Sequence, residues 1–311
     1  MPITAWKTDN YKFVGKAFDF AYANRMNKLA GIMSTVNSKS IDYELTGSGG
    51  YGEMKVYDGT NLNDATKRRG FKTIITPQEF SASVNIGFKE AKIDKSGECR
   101  KTGTKLGDSA AMTVYLHCLR AFGHAFDGAY AGGDGKAWAA ADHPVASKGS
   151  TNRTFIPDEE AGTYSNLMST ALSVSAITAA QTMANRFVTP DGLPFLCEMD
   201  TLLVSPELEA TAKKICGEDA RLDPESANHG ANPVHGMNYI VIGGGSDGFS
   251  AKQWAVCDRR LMKELFKLVY ITQPQVLQSE LDNPLIDKYT GYVDFGVGWG
   301  DARQIIFSNP T

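Results

Sequence analysis

Ile41–Thr76 reads IDYELTGSGGYGEMKVYDGTNLNDATKRRGFKTIIT. Ile41, Tyr43 and Leu45 alternate with polar residues up to the glycine-rich Gly47–Gly52, and Met54 and Val56 then alternate with Lys55 and Tyr57. Period-two patterning on both sides of a glycine turn predicts a long β-hairpin. Each arm has few large apolar residues, and Lys67-Arg68-Arg69 stands where a core would be. A lone two-stranded ribbon is marginal in water. This one needs another surface to lie on, which points to assembly.

The remaining chain supplies an ordinary globular body. Its 311 residues are 42% hydrophobic and 22% charged, enough for one large or two medium domains. A net charge of −3 excludes a dedicated nucleic-acid binder, which would carry a basic excess. Five widely spaced cysteines (Cys99, Cys118, Cys197, Cys216 and Cys257) lack any C-x-x-C and fit reduced thiols rather than a disulfide framework. Met1–Phe20 has no apolar leader pattern, and no window reaches the roughly 18 apolar residues of a membrane span. No signal peptide, membrane partner or cofactor is expected.

Before the ribbon, residues 1–38 are rich in aromatics, with a short helix predicted through Phe13, Ala17, Phe20/Ala21 and Asn24. It packs either on its own domain or, as an arm, on a neighbour. After the ribbon, Phe80, Ala82, Val84, Ile86 and Phe88 alternate with polar residues and predict a half-buried strand, antiparallel to the end of the chain. Asp108 is the expected cap of a spine helix reaching Tyr130; at 1.5 Å per residue that rod is about 30 Å long. His117 and His124 share one of its faces without a third ligand and read as structural. A second helix is predicted over Ser165–Phe187. Thr201–Ser205 reads as a buried strand, and Pro206 opens the next helix, capped by Ser205. Strands are expected at Tyr239–Ile242 and Trp254–Cys257, joined by a turn at Gly243–Ser250. Leu261–Leu277 is suited to extended structure. In Gly291–Phe307, Val293, Phe295, Val297 and Trp299 share one face of a strand. Gly296 and Gly298 leave bare backbone on its back, where another element can approach.

Three strings imitate catalytic motifs. Gly47-x-Gly49-x-x-Gly52 has the dinucleotide spacing, but a strand follows where the phosphate-binding helix should start. Gly244-x-Ser246-x-Gly248 has the nucleophile-elbow spacing, yet all five histidines precede Ser246, whereas that fold places its base last. Gly133-Asp134-Gly135-Lys136 fails the phosphate-loop pattern, with Tyr130 for glycine and Ala137 for the hydroxyl. No nucleophile, base and orienter can be assembled. The chain does not read as an enzyme.

A family resemblance lies further along. His143-Pro144-Val145, Ser165-Asn166-Leu167, Ala171-Leu172, Ala179-Ala180, Gly192-Leu193-Pro194 and Leu202–Glu209 follow in an order that resembles the major head subunit of Mu-like tailed bacteriophages. Gly291-Tyr292, Phe295-Gly296 and Gly298-Trp299-Gly300-Asp301-Ala302 resemble that family's ending. The resemblance implies the Hong Kong 97-type capsid fold, an α+β architecture. In that reading residues 1–38 are the N-terminal arm and 39–77 the extended loop. Residues 78–160, completed by 285–311, form the peripheral domain with its spine helix, and 161–284 the axial α/β domain. The sequence departs from the fold's type member in two respects. It has no long charged helical segment at its start to act as a removable scaffold, and no motif fixes a Lys–Asn cross-link.

The function implied is a major capsid protein that self-assembles as hexamers and pentamers around packaged double-stranded DNA, bound without specificity. Portal, scaffold/protease and decoration proteins are the other expected partners, with assembly in the host cytoplasm. The candidate inter-subunit contacts are Tyr43, Gly49, Gly50, Tyr51, Lys67, Arg68, Arg69 and Lys72. The alternatives are an encapsulin-like nanocompartment shell, a serine hydrolase using Ser246, and a glycan-binding β-rich module. Two long helices and the missing leader oppose the last.

Overall fold

A computed structural model describes residues 3–25, 29–48, 54, 56–57, 59–60, 69–92, 97–145, 162–189, 193–217, 222, 230–243, 245–280 and 285–310. The chain begins with α1 (Ile3–Arg25), β1 (Ser34–Asn37), β2 (Tyr43–Ser48), β3 (Arg69–Ile75) and β4 (Gln78–Gly87). There follow α2 (Phe88–Lys92), α3 (Glu98–Gly123), β5 (His143–Pro144), β6 (Thr163–Tyr164), β7 (Leu167–Met168) and α4 (Val174–Ala184). It closes with β8 (Thr201–Val204), α5 (Glu209–Cys216), β9 (Asn238–Val241), β10 (Trp254–Cys257), α6 (Arg259–Leu265), β11 (Phe266–Glu280), β12 (Ile286–Trp299) and β13 (Ile305–Ser308). Two compact units result, one of residues 1–43, 75–118 and 267–297, the other of 44–74, 119–266 and 298–311.

The first unit is a four-stranded sheet, ordered β1-β11-β12-β4, with α1, the short α2 and most of α3. The expected antiparallel partner of the Phe80–Ile86 strand is β12, in register from Ile286 opposite Gly87 to Phe295 opposite Gln78. Its core joins Val14 and Phe18 of α1, Leu106 of α3, Ile86 of β4, Val276 of β11 and Tyr289 of β12. His117 rests between Phe80 and Phe295, its ring centroid 4.7 and 5.3 Å from theirs. The bare back of Gly296 is used as expected: a Cβ there would lie 2.8 Å from Ile75 and 3.2 Å from Pro77.

Helix α1 and the start of α3 depart from their expected bounds for one shared reason, and α3 ends at Gly123 rather than Tyr130. Helix α3 begins at Glu98, so Asp108 lies inside it rather than capping it. Gly103 and Gly107 look like helix breakers in sequence but are contact points. A Cβ on Gly103 would lie 2.4 Å from the Val14 carbonyl oxygen, and one on Gly107 2.4 Å from that of Phe18. Two glycines four apart let α1 approach at backbone distance. Helix α1 is accordingly longer than predicted and turned: Val14, Ala17, Phe18 and Ala21 are buried, while Phe13 and Phe20 are exposed. Gly103→Ala is expected to destabilise the protein by about 2 kcal/mol in a urea melt through overpacking. Helix propensity alone predicts a gain of about 1 kcal/mol, so the sign decides between the two.

The second unit holds a five-stranded sheet ordered β7-β13-β10-β8-β9. Strands β8, β10 and β13 are buried throughout. The turn expected between Tyr239–Ile242 and Trp254–Cys257 is not a hairpin, because β8 intervenes, antiparallel to β10 and parallel to β9. The second helix is shorter than expected, starting at Val174 behind Ser173, whose hydroxyl accepts from the Ala176 N–H (3.0 Å). Ser205 does not cap the turn at Pro206; its hydroxyl donates to the Ala251 carbonyl (2.9 Å). The tract from Leu261 turns first through α6 before extending as β11.

Trp138 is fully buried at the centre of this unit's aromatic cluster. It stacks on Trp299 with centroids 5.5 Å apart and an interplanar angle of 6°, and Phe122, Phe266 and Phe307 lie within 5.4 Å. Around it runs a polar network. Asn166 Nδ2 donates to the carbonyls of Trp138, Ala302 and Ile305 (2.7, 3.2 and 3.3 Å). Its Oδ1 accepts from the Ala140 N–H (2.9 Å) and from His143 Nε2 (3.1 Å), and His143 Nδ1 lies 2.6 Å from Asp134 Oδ2. Cys118, Cys197, Cys216 and Cys257 are free. Burial pushes the Cys118 thiol up to about 12, which suits an inert core residue.

Candidate assembly surface

The ribbon expected within Ile41–Thr76 exists, with a different return strand. Strand β2 pairs with β3, residues 69–75, and not with Met54–Tyr57. Met54, Val56 and Tyr57 belong to no strand. Alternation over four residues carried too little information to choose between two candidate returns; Phe71, Ile74 and Ile75 give the later one more apolar area.

Two residues tie the ribbon down. Leu45, 8% exposed, packs where a Cβ on Gly300 would meet its side chain at 3.0 Å, and Ile75, 4% exposed, lies over Gly296. Gly132 and Gly133, beyond the end of α3 at Gly123, serve the same anchoring. A Cβ on Gly133 would lie 2.4 Å from the Lys72 carbonyl oxygen, and one on Gly132 2.1 Å from the Trp299 ring. The Gly133 N–H donates to Thr73 Oγ1 (3.1 Å), and Gly135 adopts a φ of +78° that favours glycine. Backbone thus crosses backbone at the ribbon's base.

Beyond these anchors five large apolar side chains among the described residues are open. Met54 is 97% exposed, Val56 94%, Ile41 79%, Tyr57 58% and Ile74 55%. Of the candidate contacts, Tyr43 is half-buried at the start of β2. Lys72 is exposed and ion-paired with Glu44 of its own ribbon. The backbone of Arg69 opens β3. Gly49, Gly50, Tyr51, Lys67, Arg68 and the Arg69 side chain lie outside the described residues. Ser246 sits in a short 3-10 turn that leads into β10 and not into a helix, so the elbow context is missing. Among the described residues no helix is long and apolar enough to cross a membrane.

An anchored ribbon with a bare apolar flank is a surface that a partner can cover. The sequence model described as "Phage capsid protein" matches residues 71–307, most of the chain. The chain belongs to the phage capsid protein family. This capsid protein has no match among curated proteins. Among solved structures it is similar to the capsid of Ralstonia phage GP4, with 12% identity over 93% of this chain and 92% of that one and a TM-score of 0.54. The mature capsid of bacteriophage PhiM1 gives 16% identity, coverage of 91% and 86%, and a TM-score of 0.53. The procapsid of bacteriophage JBD30 gives 14%, coverage of 100% and 76%, and 0.52. Likeness at these identities establishes the fold, the α+β Hong Kong 97-type capsid fold. With the family match, the capsid protein is a major structural subunit of a phage head.

Proposed function

We propose that this capsid protein is the major head subunit of a Mu-like tailed phage, assembling in the host cytoplasm as hexamers and pentamers around double-stranded DNA. In this reading residues 1–38 form the N-terminal arm, 39–77 the extended loop, 78–160 with 285–311 the peripheral domain, and 161–284 the axial domain. Portal, scaffold/protease and decoration proteins complete the head, and the subunit itself performs no catalysis. One observation carries the assembly reading: Met54 and Val56, 97% and 94% exposed, expose apolar side chains that a second copy would cover. Net charge −3 suits a wall that should not hold packed DNA tightly.

The test is assembly of the purified chain followed by electron microscopy, with closed shells expected. Met54→Ser/Val56→Ser is expected to leave the subunit's stability within about 0.5 kcal/mol of wild type, as for exposed sites generally, while suppressing shell formation. Assembly of that variant at wild-type yield would remove the loop from the interface.

A further inference from the structure

The outer face of the β4–β12 pair contains a conflict that a lone subunit does not resolve. Glu79 and Asp294 are register partners on these antiparallel strands. Directly opposite residues point to the same side, with Cβ atoms roughly 5 Å apart, and like charges there are destabilising. Asp294 is only 7% exposed, and its Oδ1 is buried without a hydrogen-bond partner. Tyr292 lies two residues along β12 on the same face, beside Glu79. Neither carboxylate has a basic partner among the described residues. Burial first and the Glu79 charge second push the Asp294 carboxyl above its ordinary range. Proteins keep such violations of local rules where a site needs them.

We propose that Glu79 and Asp294 form a receptor for a guanidinium or ammonium group from a second copy of this chain. The inference rests on the capsid-subunit reading, which makes copies of the chain its nearest neighbours. Two acidic groups repel phosphate, so packaged DNA is excluded as the occupant. A divalent ion takes six or more oxygens when calcium, and near-ideal octahedral geometry when magnesium, and no cluster of three or more acidic, histidine or cysteine side chains exists among the described residues. A planar guanidinium, with five donors in a fork, matches two neighbouring carboxylates. Its arrival on the exposed Glu79 would set a positive charge beside both carboxylates and remove the repulsion in one step.

The proposal requires opposite effects on the free subunit and on assembly. Glu79→Gln/Asp294→Asn removes the like charges, so the unassembled variant should melt at or above the wild-type temperature. Its threshold concentration for shell formation should rise about tenfold, the loss of one charged hydrogen bond per contact. Free arginine should inhibit wild-type assembly more than sodium chloride at equal ionic strength, and the two should act alike on the variant. An assembly threshold within twofold of wild type would overturn the proposal. So would a variant that melts lower, which is the signature of a purely structural pair. Wild-type assembly abolished by EDTA and restored by magnesium or calcium would make the site a metal site instead. Failure of the wild-type chain to form shells under any condition would overturn the capsid-subunit reading, and this receptor with it; unaltered variant shells would overturn the receptor alone.

Discussion

Asn166→Ala is expected to lower the capsid protein's stability by about 4 kcal/mol in a urea melt, a severe loss for one polar side chain. The residue is fully buried, and its amide satisfies five groups at once. Truncation strips the partner from the Ala140 N–H, from His143 Nε2 and from the carbonyls of Trp138, Ala302 and Ile305. Each orphaned buried group costs about 1–3 kcal/mol, and the carbonyls retain some compensation from their second lone pairs. The backbone of Asn166 adds to its reach: its N–H donates to the Ala140 carbonyl (3.1 Å) and its carbonyl accepts from Phe307 (2.8 Å). The 138–143 segment has almost no regular structure, and this side chain joins the Ala139 N–H to Ala125 carbonyl bond (2.8 Å) and the His143–Asp134 contact in holding it. Asn166→Asp separates polarity from shape. It is nearly isosteric but cannot donate to three carbonyls and would set a charge among them, so a loss at least as large as alanine's is expected. Wild-type stability in Asn166→Asp would mean that space-filling, not hydrogen bonding, is the residue's contribution.

The same network explains what the sequence made legible. His143-Pro144-Val145 and Ser165-Asn166-Leu167 were informative only as ordered fragments of a family pattern. Nothing in their spacing indicates that an amide 23 residues away meets the histidine. Strands were easier to read. The strands at Phe80–Ile86, Thr201–Val204 and Val293–Trp299 sit where expected, because period is a local property; burial is not, and of the expected apolar face of β4 only Ile86 is buried, with Val84 exposed and Phe88 in α2. Errors arose where tertiary contact overrode a local rule. Asp108 reads as a cap in sequence, yet α3 begins at Glu98, and its Gly103 and Gly107 leave the space that α1 occupies. β9 and β10 looked like a hairpin until a strand from 34 or more residues earlier paired between them.

The assembly surface divides in the same way. Its poverty of core residues was visible in Ile41–Thr76, and Met54 and Val56 are bare as that reading requires. Lys72, chosen for its charge, is engaged by Glu44 of the same ribbon. The Glu79–Asp294 pair went unnoticed because both residues fall on the polar side of strongly alternating strands. In one dimension each is an ordinary solvated acid. Only the register, which depends on pairing across more than 200 residues of chain, puts them opposite each other.

Arg303→Met is expected to cost about 3–5 kcal/mol, the usual result of removing one member of a buried ion pair. The Arg303 side chain is 7% exposed and that of Asp301 17%. The Arg303 Nε donates to both Asp301 oxygens at 3.0 Å, one terminal nitrogen closes on Oδ2, and the other donates to the Val188 carbonyl (2.7 Å). The guanidinium carbon lies 4.6 Å from the Phe195 ring centroid and 5.7 Å from that of Tyr164. Methionine replaces the packing but leaves Asp301 as a buried carboxylate with no counter-charge. Asp301→Asn/Arg303→Met should therefore lose less than Arg303→Met alone, since asparagine can still accept from the Arg303-position N–H and carries no charge. The pH dependence offers a second, independent sign. Burial pushes the Asp301 carboxyl up, but the Arg303 charge and hydrogen bonds outweigh it and hold it below its ordinary 3.8. In the wild type the pair thus contributes stability that is present above that value and lost as pH falls through the lowered one. Without Arg303, burial acts unopposed by the guanidinium and favours the neutral acid. The Asp301 contribution should then reverse, falling as pH rises through the raised value. Urea melts of wild type and Arg303→Met across the acid range, compared with the double variant as baseline, read that reversal directly; parallel curves would show that Asp301 never depended on Arg303 for its charge.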